Sequence, residues 1–441
     1  MYSHESELIK KIRKQFNRAP YPKIPLEQSP KYDYQSLYLH NLVTAYYVRT
    51  KKVIDAQGKI ILDVGCGSGY QTLILAEANP KAKIVGIDIS EESIKLAHYR
   101  LHYHGFKNTE FYVSLIEDIP ELGLEFDYIN CDEVLYLLPN LVLGLQSLKS
   151  VLKSDGFIRA NFHSSLQRES VYNAQTLFKM MGLMDENPET MEIELTCEII
   201  KSLKEGVVLK EKTWNYSLDN NEELVLMNYL FQGDKGYTIP EIFTALRTVD
   251  LEFISMVNWH EWELTELFKE PDNLPAFLAI SLPKKSVEER LHLFELLHPV
   301  HRLIDFWCAH PNHTQSCVPV SEWTERDWQQ AQVHLHPQLR TAQFKEDLLD
   351  CITGQKPFII SHYIPLPTTV PIAVESTMAA CLLLLWEGTQ PIMSLVERWL
   401  KLRPFDPNTL EPVNPEIAFD EVKELLSRLE AFLYVFLECS A

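Results

Sequence analysis

One stretch, KIILDVGCGSGYQT at residues 59–72, constrains this chain more than any other. Ile60, Ile61, Leu62 and Val64 make a short apolar run that suits a strand covered on both faces. Gly65, Gly67 and Gly69 then alternate with Cys66 and Ser68, so the backbone can turn sharply and approach a ligand without a Cβ in the way. The following YQTLILAEA carries a helical pattern, which places helix-start N–H groups at the turn. A dinucleotide fingerprint would need a glycine at 70, where this chain has Tyr70. The turn is G-x-G-x-G, with Asp63 two residues before its first glycine. A second aliphatic strand, KIVGIDIS at 83–90, ends in Asp88, whose carboxylate can accept both hydroxyls of a ribose.

The turn and these two strands resemble motif I of the class I methyltransferases that use S-adenosylmethionine (SAM), and Asp88 matches their ribose acid. The resemblance implies an α/β fold with a Rossmann-like seven-stranded methyltransferase sheet. It also implies that SAM lies against Asp63, Gly65, Cys66, Gly67, Gly69, Asp88, Ile89, Ile116, Glu117 and Cys131. At the tip of the third strand, TEFYVS (109–114), the family holds the adenine. Glu117 and Asp118 are candidates, because the acid usual directly after that strand is Leu115 here; an acidic surface loop is the other reading.

The fourth strand, FDYINC (126–131), runs into DEVLYLLPN. This resembles small-molecule and protein methyltransferases. It departs from the N/D-P-P-Y signature of enzymes that methylate base amines, since Cys131 and Asp132 follow Asn130. Ligands of open α/β sheets bind at the carboxyl ends of strands. Glu133 and Tyr136 are therefore catalytic candidates, and Tyr136 also a substrate contact. A helix over 140–153, a turn at Asp155-Gly156 and a fifth strand at 157–162 bring His163 to a strand tip. There it is either a general base or a hydrogen-bonded structural histidine. A capped helix and sixth strand are expected within 236–257, and an antiparallel seventh strand at AFLAISL (276–282).

Residues 4–17 pattern as an amphipathic helix, and 19–34 are punctuated by Pro20, Pro22, Pro25 and Pro30. That segment is either a linker or a lid over the cofactor that would bring Tyr21 to the substrate. The expected domains are an N-terminal helical and lid segment (1–53) and a methyltransferase domain (54–283) with a helical insertion at 168–235. A helical connector (284–330) and a mainly helical, winged-helix-like C-terminal domain (331–441) follow. The last helix is expected over 419–438. The layout looks like bacterial methyltransferases with a C-terminal regulatory-type domain, some of whose relatives are protein-lysine methyltransferases.

The formal net charge is −20, and residues 404–441 carry eight acids against two bases, which argues against nucleic acid as a partner. Eight cysteines without a disulfide framework point to reduced thiols in the cytoplasm. The N-terminus lacks the apolar core of a signal peptide, and the longest apolar run, 379–386, is too short to span a membrane. Cys308, His310, His313 and Cys317 form a compact soft-ligand run whose spacing matches no common zinc pattern, so no metal is expected. The reading is a methyltransferase acting on a nitrogen or oxygen nucleophile. The acceptor is either a protein or peptide side chain, suited by an acidic surface and large accessory domain, or a small metabolite. A non-catalytic SAM-binding protein is the third alternative, and the C-terminal domain would serve regulation, docking or homodimerisation.

Overall fold

The computed structural model describes residues 7–218, 221–311, 318–364, 371–406 and 409–439. The chain divides into two compact units, each assembled from three stretches of sequence. One comprises Met1–Gln28, Lys59–Thr72 and Lys83–Pro311, the other Ser29–Gly58, Leu73–Ala82 and Asn312–Ala441.

The first unit contains a seven-stranded sheet. Its strands are β1 (Ile60–Val64), β2 (Lys83–Asp88), β3 (Thr109–Val113), β4 (Phe126–Cys131), β5 (Leu152–His163), β6 (Glu252–Met256) and β7 (Leu303–Ala309). Their order is β3-β2-β1-β4-β5-β7-β6. The first five run parallel, and β7 lies antiparallel between β5 and β6. The chain winds one way from β1 to β2 and β3, and the other way into β4 and β5. This leaves a topological switch point between β1 and β4, where open sheets bind ligands. Val64 pairs in register with Ile87 on one side and Cys131 on the other, and Cys131 with Ala160. The carboxyl ends of the central strands therefore line one crevice. Leu62, Val64, Val85, Ile129 and Ile158 are buried in the core, as strands covered on both faces require.

Helices flank these strands for local reasons. The Ser90 side chain accepts the Ser93 N–H and caps Glu91–Tyr103, whose first turn holds Glu91 and Glu92. Thr238 and Glu241 form a capping box on Ile239–Thr248, with Pro240 in the first turn. The insertion between β5 and β6 folds as Glu169–Met180, Thr190–Ser202, Val208–Thr213 and Glu222–Tyr229 around its own core of Phe178, Ile200, Val225 and Tyr229.

Three expectations are corrected. Residues 276–282 are not a strand: Ala276–Ser281 is a short helix that buries none of its residues. The seventh strand is instead LIDFWCA at 303–309, which buries Phe306, Trp307 and Cys308. A short apolar run suits helix and strand equally, and only burial separates the two. The connector expected to be helical over 284–330 is helical only in part: the helix Val287–Leu297 ends two residues before Pro299, which cannot supply the N–H that a continued helix needs, and 303–309 is the strand β7. The strand read at 157–162 runs from Leu152, because Asp155-Gly156 lies within it at the point where its register with β4 shifts.

The second unit contains the helices Tyr34–Leu39, Leu42–Thr50, Ala342–Thr353, Ser376–Glu387, Ile392–Leu402 and Pro415–Ala431. Five strands accompany them: β8 (Ala331–Leu335), β9 (Phe358–Ile359), β10 (Ala373–Val374), β11 (Gln390–Pro391) and β12 (Val435–Cys439). β8 lies antiparallel between β11 and β12, and β9 pairs with β10. In chain order a helix, β11, two helices and β12 close this unit. The last helix is shorter than the apolar pattern suggested, because Val435, Phe436 and Leu437 bury themselves as a strand rather than as a further helical turn.

Candidate active site

The glycine turn is held open by three left-handed backbones, with φ +72° at Gly65, +50° at Gly67 and +84° at Gly69. Each position also lacks room for a side chain. A Cβ on Gly65 would lie 2.3 Å from Val134 Cγ2, one on Gly67 2.2 Å from the Tyr21 carbonyl oxygen, and one on Gly69 2.5 Å from Ala97 Cα. The first contact brings the loop after β4 onto the turn, and the second brings the proline-rich segment there. The N–H groups of Gly67, Ser68 and Gly69 are all used within the protein, donating to Asp88 Oδ2, the Tyr21 carbonyl and the Cys66 carbonyl. The turn therefore offers a ligand close backbone approach rather than a row of free donors.

Asp88 is partly exposed at the tip of β2, where it accepts N–H groups from Gly67 at 3.0 Å and Ser90 at 2.7 Å. Loss of water raises its pKa, against the pull of those donors. Ile89 beside it is half-buried. Ile116 is buried at the start of a 3-10 turn, Ile116–Leu122, and Glu117 and Asp118 on that turn are half-buried.

Two of the residues assigned to the cofactor have buried side chains. Asp63 is 1% exposed, and its two oxygens accept from Thr72 Oγ1 at 2.6 Å and Asn130 Nδ2 at 3.0 Å. Burial pushes its carboxyl up to about 7, against the effect of those two donors. It ties the β1 tip to β4 and to the helix after the turn. The Cys131 side chain is fully buried between β1 and β5, where desolvation raises its thiol. Cys66 is likewise buried, which leaves its backbone as the part that belongs to the turn.

Opposite the turn, the candidates Glu133, Tyr136 and His163 come together. Glu133 adopts φ +55°, an uncommon backbone for a residue with a Cβ and one that recurs at functional sites. Its N–H donates to Asn161 Oδ1 at 2.7 Å, and Asn161 Nδ2 donates to Asp132. The Tyr136 ring stacks on His163 at 4.0 Å between centroids. Its hydroxyl approaches Glu133 Oε2 at 3.4 Å, and burial raises the hydroxyl's pKa strongly. His163 is 2% exposed. Its Nδ1 lies 2.7 Å from Asp234 Oδ1, and its Nε2 lies 3.0 Å from Arg302 Nη1. Arg302 also pairs with Glu133.

The segment after Ala19 is anchored on the turn. The Tyr21 carbonyl accepts the Ser68 N–H, and the Pro22 carbonyl accepts Ser68 Oγ at 2.7 Å. Arg100 donates from Nε to the Ser68 carbonyl, from Nη1 to Pro25 and from Nη2 to Ile24, at 2.7–3.0 Å. The pKa of the Tyr21 hydroxyl is raised, first by desolvation and then by the charges of Glu133 and Glu223.

Sequence reading missed Asp234, Arg302, Arg168, Asn161 and Arg100. Asp234 and Arg302 lie 71 and 139 residues from His163, so no spacing rule could join them. Cys308 is a buried strand residue, and His310 Nε2 bonds the Leu152 carbonyl. His313 and Cys317 lie outside the described residues. Among the described residues, no group of three or more metal-binding side chains converges, and no helix is long and apolar enough to cross a membrane.

The crevice brings together a glycine turn without room for side chains, a partly exposed carboxylate at the neighbouring strand tip, and polar side chains across the switch point. A family model described as a methyltransferase domain matches residues 55–227. A Synechococcus protein of uncharacterised function is 25% identical over 318 residues, covering 71% of this chain and 73% of the relative. The tRNA U34 carboxymethyltransferase of Campylobacter fetus is 32% identical over 197 residues, covering 43% of this chain and 68% of the enzyme. The solved structure of PKMT2 from Rickettsia typhi in complex with AdoHcy superposes with a TM-score of 0.59 at 17% identity, over 96% of this chain and 78% of that one. With the fold, the turn and these matches in agreement, the chain belongs to the class I SAM-dependent methyltransferases.

Proposed function

We propose that this enzyme methylates a nitrogen or oxygen nucleophile on a protein or peptide side chain. The observation that carries the reading is the charged, open rim at the carboxyl end of β4. The side chains of Glu133 and Arg302 are 31% and 45% exposed, and Tyr21 is 38% exposed. A small apolar metabolite would call for an enclosed pocket lined by hydrophobic groups. A side chain presented from a larger molecule needs an entrance that tolerates charge and water. The Campylobacter fetus relative acts on tRNA by its name, but a net charge of −20 opposes a polyanion here.

SAM supplies an activated methyl on a sulfonium. The chain's own task is to hold the partners and exclude water. Asp88 would accept the ribose hydroxyls, and the glycine turn would admit the cofactor against bare backbone. The segment tied down by Arg100 would cover it and fix Tyr21 beside the acceptor. Orienting the acceptor in line with the methyl can contribute much of the acceleration. A labelled-methyl assay on fractionated lysate tests the reading. Label that migrates with protein and is released as peptides by protease is expected. Label confined to the protease-resistant small-molecule fraction would overturn the protein acceptor in favour of a metabolite.

A further inference from the structure

We propose that Asp234 positions His163 as the proton acceptor for methyl transfer, and that Arg302 gates it by covering Nε2 until an acceptor enters. The inference rests on reading the β4–β5 end of the crevice as the acceptor site.

The tautomer follows from the partners. A guanidinium carries only donors, so the atom 3.0 Å from Arg302 Nη1 must be a lone pair. Nε2 is therefore bare, and the ring proton sits on Nδ1, donated to Asp234 Oδ1. The Asp234 side chain is itself fully buried and held in place. Its Oδ2 accepts from Arg168 Nη2 and from Gln175 Nε2, each at 2.9 Å. Burial works to raise the Asp234 pKa, but the hydrogen bond from His163 and the charge of Arg168 hold it below the usual carboxylate value. The result is a base whose second nitrogen is oriented by a carboxylate, with Tyr136 stacked on the ring to fix its plane.

The base is occluded as it stands. Arg302 is anchored by its backbone, since its carbonyl accepts the Ser164 N–H at 2.9 Å, while its side chain stays 45% exposed and bridges Nε2 to Glu133. The guanidinium can leave without disturbing the strand. An acceptor that engages Glu133 would compete for the same carboxylate, loosen Arg302 and uncover Nε2. The acceptor's N–H or O–H bond then breaks, its proton moves to Nε2, and the electron pair left behind forms the bond to the methyl carbon. The carbon–sulfur pair stays with sulfur. Burial, with the charge of Arg168, holds the His163 pKa below its ordinary value, while Asp234 and Glu133 favour the imidazolium.

The test is nitrogen NMR on the full chain labelled at histidine, which needs neither cofactor nor acceptor. A His163 ring protonated at Nδ1 in the wild type, and losing that preference in Asp234→Asn, is expected. A wild-type ring protonated at Nε2 would overturn the proposal, even if the variant did not fold. The gate is read by diethyl pyrocarbonate modification of His163, mapped by peptide mass spectrometry. Removing one charge-assisted hydrogen bond in Arg302→Ala should speed it by roughly tenfold or more. An unchanged rate would overturn the gate. Failure of the wild type to bind S-adenosylhomocysteine by calorimetry would instead strike the cofactor reading beneath it.

Discussion

Gly67 shows how a single missing Cβ carries both backbone geometry and tertiary contact. Its φ of +50° and the Tyr21 carbonyl 2.2 Å from a hypothetical Cβ make Gly67→Ala costly twice over. The left-handed backbone alone costs roughly 1–2 kcal/mol, and the segment at Tyr21 must also move. Calorimetry should show affinity for S-adenosylhomocysteine falling at least about tenfold, the equivalent of roughly 1.4 kcal/mol. Gly58, also left-handed at +76° but with nothing within 4 Å, is the control. Alanine there should affect stability only. A second residue-scale prediction concerns His336, fully buried with Nε2 2.9 Å from Thr44 Oγ1 and Nδ1 accepting the Gln338 N–H. Desolvation lowers its pKa to about 3. Between that value and about 6.5 the unfolded chain holds a proton that the folded chain refuses, so stability falls as pH falls through this window. The slope from this one group approaches about 1.4 kcal/mol per pH unit. Urea unfolding followed across this range should show His336→Gln losing about one proton of linkage.

At the scale of elements, the stretch from 19 to 28 takes two of its anchors from one side chain. Arg100 is 5% exposed and gives three donors to three carbonyls, two on that stretch and one on the glycine turn. Hydrogen bonds from charged donors contribute about 1.5–3 kcal/mol each. Arg100→Ala should free the stretch for cleavage at Lys23 in limited proteolysis and weaken S-adenosylhomocysteine binding. Arg100→Lys should rescue little, because an ammonium cannot reproduce the planar fork. The element scale is also where sequence legibility broke down. β1 and β2 announced themselves as aliphatic runs ended by glycine or acid. The last strand did not. AFLAIS and LIDFWCA are both short and apolar, and the choice between them was made by which one the sheet buries between β5 and β6.

At the scale of the whole molecule, each compact unit is discontinuous in sequence. The helices Tyr34–Leu39 and Leu42–Thr50 belong with residues 312–441, and they bury Leu37, Tyr38, Leu42, Val43, Tyr46 and Tyr47. Within that unit Tyr47 donates to Glu430 Oε1 at 2.9 Å, and its ring packs on Phe436 at 4.5 Å. A fragment ending at residue 311 would leave this apolar surface uncovered. It should express insolubly or bind a hydrophobic dye strongly, whereas the full chain should not. A soluble, monomeric fragment with cooperative unfolding would contradict the division.

What the sequence determined on its own is the part written in local chemistry. Gly65, Gly67 and Gly69 can only mean a turn that excludes side chains, and Asp88 could be placed at a strand tip because an aliphatic run stops there. Glu133, Tyr136 and His163 were legible as candidates because each follows the carboxyl end of an expected strand. Tertiary structure decided what those residues face. It buried the side chains of Asp63 and Cys131, laid the proline-rich stretch on the turn through Arg100, and surrounded His163 with Asp234, Arg168 and Arg302. Hydrogen bonds between residues far apart in the chain leave no periodicity behind, so burial and partnership emerge only once the sheet has assembled.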